Sequence, residues 1–126
     1  MKIPEKIPPL TTGEILSIAR VKIRNEKNWL KGQSTEKSNG DFAHPSSAKA
    51  CKWCALGAVR SVFKEGTEEH SFDTAMDEHM FQTAMFTLSK FTDCKNIAAF
   101  NDHSETTHAD IIAVFDKAIA AIDPYL

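Results

Sequence analysis

What this 126-residue chain lacks narrows its possibilities first. No apolar run comes near the ~20 residues that a membrane-spanning helix requires. The first ten residues, Met1-Lys-Ile-Pro-Glu-Lys-Ile-Pro-Pro-Leu10, hold no apolar segment of the kind a secretion signal carries, so none is expected. Charge of one sign is never concentrated. Fifteen basic and 17 acidic residues are mixed along the chain for a formal net charge of −2, which excludes a basic nucleic-acid footprint and a charged tail. Cysteine is scarce and odd in number, three residues, which argues against a secreted disulfide framework and for reduced thiols in a cytoplasm. There is no internal repeat, and no alternating apolar–polar run of useful length.

What is present suits one domain spanning residues 1–126. A chain of this size buries roughly two-thirds of its unfolded surface and needs neither disulfide nor metal to fold. Residues 1–11, with three prolines, read as an extended arm. Thr11-Thr-Gly-Glu14 has capping-box spacing, and Ile15, Ile18, Ala19, Ile23 and Leu30 recur at helical intervals behind it. The spacing predicts a helix over 12–30, ended by Gly32. Residues 31–50 are polar and carry Gly, Ser, Asn and Pro45, so a long, mobile loop is expected there.

A second helix is expected over 51–64, where Trp53, Leu56, Ala58, Val59, Val62 and Phe63 cover a wide face, with Gly66 marking its end. The stripe Phe72, Met76, Met80, Ala84, Leu88 and Phe91 predicts helix over 72–91, either continuous or broken near His79. Segment 97–100 is too short to assign between a helical turn and a strand. Thr107-x-x-Asp110 then opens a last helix with the stripe Ile111, Val114, Phe115, Ala118, Ile119 and Ile122, stopped by Pro124. The expected fold is all-α: a compact domain of four or five helices, with a Pro-rich arm and a long polar loop after the first helix.

The candidate chemistry centres on Cys51-Lys-Trp-Cys-Ala-Leu-Gly-Ala58, where a polar loop meets an apolar helix. A helix N-terminus favours the thiolate and lowers a thiol pKa. A Cys-x-x-Cys there is the thioredoxin arrangement, but residues 43–50 cannot be the buried strand which that arrangement follows. Zinc would draw on Cys51, Cys54 and Cys94 with one of His44, His70 or His103, although no second paired knuckle matches the first. Cys54 as nucleophile, His103 as base and Asn101 or Asp102 as orienter are the residue types of a cysteine hydrolase or transferase. The plainest reading is structural. A free cysteine behaves as a small buried hydrophobe, and Cys54, Gly57 and Ala58 let a neighbouring helix approach closely.

Four elements in order resemble a known family. They are Trp29-Leu-Lys-Gly32, Cys54-Ala-Leu-Gly-Ala58, Phe100-Asn-Asp102, and Thr107-His-Ala-Asp110 followed by Val114-Phe-Asp-Lys-Ala-Ile119. The pattern resembles a group of small uncharacterised bacterial and phage proteins of unknown function. The resemblance covers the chain from about residue 12 onward, with Phe115 in place of the usual Leu, the insert at 33–49 and the extra Cys51 as departures. It implies no activity. It does ask why Cys54, Gly57, Asn101 and Asp102 occur together: as architecture, or as a pocket with Trp29 or Trp53 as its wall. The expectation is a non-enzymatic binding or accessory domain, cytoplasmic in a bacterium or made by its phage. It would need no cofactor, and its partner would be a protein or a small ligand. The cysteine hydrolase and the zinc-stabilised module are the alternatives.

Overall fold

The structure is a computed structural model, and it describes residues 10–32, 35–41, 43–66 and 71–122. Residues 1–9 of the expected arm, His70 and the stop at Pro124 lie outside the described residues.

The first helix, α1 (Thr12–Ile23), opens on the expected capping box. The Thr11 hydroxyl accepts the Glu14 N–H at 3.1 Å, and the Glu14 carboxylate accepts the Thr11 N–H at 2.9 Å. Its buried stripe is Ile15, Leu16, Ala19 and Ile23. The helix ends at Ile23, not at residue 30. Asn25 caps a short 3₁₀ turn at Glu26–Asn28, accepting the Lys27 N–H at 3.0 Å, and the chain leaves the helical path.

The segment after α1 departs most from expectation. Strand β1 (Thr35–Lys37) pairs antiparallel with β2 (Ala50–Trp53), Thr35 opposite Trp53 and Lys37 opposite Ala50. On the other side of β2, Trp29 forms a parallel bridge with Trp53, and the Leu30 N–H donates to the Trp53 carbonyl at 3.1 Å. The fold is therefore mostly helical but not all-α, and residues 31–50 are not simply a loop. Strands of three and four residues are too short to imprint a period-two pattern, and their pairing is long-range.

The next helix, α2 (Ala55–Arg60), is shorter than the expected 51–64, because residues 50–53 belong to β2. Ala55, Gly57, Ala58, Val59 and Arg60 are all buried, so α2 is covered nearly all round. It packs against α1. Beyond it, Gly66 is not at a helix end: its N–H donates to the Ser71 carbonyl at 2.9 Å, and an added Cβ would collide with the Phe72 carbonyl.

The third helix, α3 (Ala75–Ser89), runs unbroken through His79 and is capped by Thr74, whose side chain accepts the Asp77 N–H at 3.0 Å. Segment 97–100 proves helical, as α4 (Ile97–Asp102), with Asn96 as its cap. The last helix, α5 (His108–Ile122), starts at the expected Thr107–Asp110 box, where both reciprocal bonds form, at 3.2 and 2.9 Å. One core joins the elements: Ile15, Leu16, Ile23, Val59, Leu88, Ile97, Ile111 and Phe115 are wholly buried. Phe63, Phe72 and Phe81 close one end, with Phe63 and Phe81 edge to face at 6.4 Å.

Candidate functional site: a buried amide between loops

Asn101 and Thr35 are the polar members of the largest wholly buried side chains. An Asn amide offers two acceptor lone pairs and two N–H donors. At Asn101, the last-but-one residue of α4, all four are used by the chain itself. Oδ1 accepts from the Trp29 indole Nε1 at 2.7 Å and from the Ala55 backbone N–H at 3.0 Å. Nδ2 donates to the Leu30 carbonyl at 3.0 Å and to Asp102 Oδ1 at 3.0 Å. One amide thus ties the segment after α1, the start of α2 and the end of α4.

Asp102 extends the knot. Its Oδ1 also accepts the Gly32 N–H at 3.0 Å, and Gly32 adopts φ of +87°, a left-handed conformation that glycine reaches without a Cβ penalty. The Trp-x-x-Gly spacing in 29–32 therefore delivers an indole to Asn101 and a backbone N–H to Asp102. Lys31, between them, donates from Nζ to the His103 carbonyl at 2.8 Å and lies 5.6 Å from the Trp29 ring centroid. On its other side Trp29 meets the His108 ring at 5.9 Å. His108 Nε2 donates to the carbonyl of Ile23 at 2.6 Å, capping the end of α1.

Cys54 is the N-cap of α2, and its sulfur accepts the Gly57 N–H at 3.2 Å. It is 7% exposed. The sequence position suggested a lowered thiol pKa, but the structure reverses that. Burial pushes the thiol above its ordinary value, the backbone N–H groups of Gly57 and Leu56 oppose this only in part, and the nearby Asp102 carboxylate adds to the rise. The thiol is neutral at physiological pH.

Cys54, Asn101 and Asp102 therefore meet where the start of α2 faces the end of α4, beside Trp29. Trp53 points elsewhere, its indole donating to the Pro45 carbonyl at 3.3 Å. His103 is exposed, and its Nδ1 accepts the Glu105 N–H at 3.2 Å. Among the described residues no hydrogen bond joins His103 to Cys54. Cys51 is exposed on β2 and Cys94 lies half-buried between α3 and α4. His44 faces Glu65 at 2.8 Å. Among the described residues no group of three or more His, Cys, Asp or Glu stands where it could hold a metal.

Sequence reasoning missed the partners of Asn101 and the buried cation Arg60. The Arg60 guanidinium donates to the Phe63 carbonyl at 3.1 Å and the Ser71 carbonyl at 2.7 Å, with its carbon 3.9 Å from the Phe72 centroid. Burial lowers its pKa, opposed by Glu65 and Asp77. Nothing local in the sequence marks an arginine as inward-facing. His108 was equally hidden, because its acceptor lies 85 positions away.

Fold and site together define a small, mostly helical protein whose connecting segments are fastened to one buried amide. No helix among the described residues is long and apolar enough to cross a membrane. The chain belongs to the DUF6197 family, a family of unknown function, whose model matches residues 7–121. No curated protein and no solved structure matches it.

Proposed function

We propose that this protein is a non-catalytic binding protein in which Cys54, Asn101 and Asp102 are a structural lock and not a reaction centre. One observation carries the reading: every hydrogen-bonding position of the Asn101 amide is taken by the chain's own groups. A residue that orients a catalytic base must direct part of that capacity toward the base. The state of Cys54 agrees. Its sulfur is spent on a cap, it is buried, and its thiol is held neutral, the opposite of an activated nucleophile.

Alkylation of each cysteine by iodoacetamide, followed by mass spectrometry over a pH series, tests the proposal. Exposed Cys51 is expected to react freely. Cys54 is expected to react only through opening of the protein, and so far more slowly than Cys51 at every pH. A Cys54 that outpaces Cys51 near neutral pH, and slows in a His103→Ala variant, would instead establish the cysteine-dependent hydrolase or transferase.

A further inference from the structure

A groove of about 540 Å³ runs between α3 and α4, lined by none of the residues of the Asn101 lock. Leu56, Phe81 and Ile97 form its floor, and Met85 and Phe86 form one wall. Phe86 is 64% exposed, an unusual position for so large an apolar ring. Lys90 and Lys95 stand at the rim, and among the described residues no carboxylate lines the groove, although the chain as a whole carries net negative charge. Lys90 Nζ lies 4.9 Å from the Phe86 centroid, so cation and apolar wall are adjacent. The groove is also pre-formed. Ser89 accepts the Ile97 N–H at 2.9 Å while donating to the Met85 carbonyl at 2.9 Å, which fixes α4 against α3.

We infer that this groove takes a small amphipathic anion: an alkyl or aryl body seated on Leu56, Phe81 and Phe86, with one carboxylate met by Lys90 and Lys95. The inference rests on the binding reading above and names the ligand class. The volume lies within the range of small-molecule sites. A partner helix fits less well. A helix about 10 Å across has a section of roughly 80 Å², so this space would take only about one turn of it. The two cations and the missing acids select the charge of the ligand.

Octanoate is the probe, with octanol (apolar body only) and propionate (anion only) beside it, followed by ¹⁵N NMR titration of the full chain. The expected result is saturable binding of octanoate with amide shifts at Met85, Phe86 and Ala98. Octanol should bind about fivefold more weakly and propionate not at all. Lys90→Gln with Lys95→Gln should remove that fivefold advantage and leave octanol unchanged, while Phe86→Ala should weaken both. These three side chains are exposed, so the variants keep the fold. The inference is overturned by octanoate that fails to saturate in the millimolar range, or by equal binding of octanol. It is also overturned if an acidic amphipathic peptide or an anionic vesicle occupies the groove where octanoate does not, or if self-association covers Phe86. Any of these with Cys54 still protected from alkylation retires the ligand class alone. A fast-reacting Cys54 retires the binding reading itself.

Discussion

Replacing Asn101 should cost more than replacing any other polar residue of the protein. In Asn101→Ala the Ala55 N–H loses its acceptor inside the core, and at half-buried positions the Trp29 indole loses its acceptor and the Leu30 carbonyl its donor. A buried polar group left without a partner costs roughly 1–3 kcal/mol. Taking the full penalty for Ala55 and about half for each of the two that water can reach gives about 2–6 kcal/mol. That is a large share of the ~5–15 kcal/mol that holds a domain folded. Asn101→Asp refines the test. It keeps both accepting bonds but turns a carboxylate toward the Leu30 carbonyl and the Asp102 carboxylate. Burial and like charge raise its folded pKa above the unfolded value. The ionisation penalty is then absent below the unfolded pKa and grows as pH rises toward the folded one, so this variant should sit closer to the parent at acid pH than at neutral pH. Urea unfolding followed by circular dichroism, with midpoints compared at constant slope, measures both effects. A loss below about 1 kcal/mol for Asn101→Ala, the size of an ordinary substitution, would refute the reasoning. So would a gap for Asn101→Asp that narrows toward neutral pH.

The other expectations follow from single contacts. Cys54→Ser should be the more stable of the two cap variants, by about 1 kcal/mol over Cys54→Ala, because a serine oxygen is a preferred cap and can accept the Gly57 N–H; calorimetric melting separates them. Gly32→Ala should cost roughly 1–2 kcal/mol through its left-handed backbone, with Gly32→Asn tolerated better, read by the same melting experiment. Glu14 has a lowered folded pKa because the Thr11 N–H and then its hydroxyl bind the carboxylate. Its contribution is therefore present above the unfolded value and lost as pH falls through the folded one. Glu14→Gln should match the parent in acid and fall behind it at neutral pH in urea titrations.

How much of this was legible in the chain depends on range. Caps are local, so the starts of α1 and α5 could be read from Thr11–Glu14 and Thr107–Asp110. The end of α1 could not. Leu30 continued the helical spacing with no Gly or Pro between Ile23 and it, and only Asn25 and the pull of Trp29 toward Asn101 turn the chain aside. Trp53 and Leu56 lie three apart and mimicked a helical face, yet Trp53 belongs to a strand fixed by Thr35 and Leu30. At the site, Cys54, Asn101 and Asp102 were singled out by type and order, and they do lie together. Their roles were not legible. A thiol at a helix start reads as activated until its burial is known, and the donor that fills Asn101 comes from 72 residues away.

The central claim is that the Asn101 side chain holds the fold closed, and its own protons report on it most directly. Hydrogen exchange of the Asn101 Nδ2 protons can be followed by NMR in the native protein. The account predicts exchange only through global unfolding, with a protection free energy equal to the stability from urea titration. Exchange that is fast while the core amides of α1 and α5 stay protected would show an amide open to water, and would contradict it.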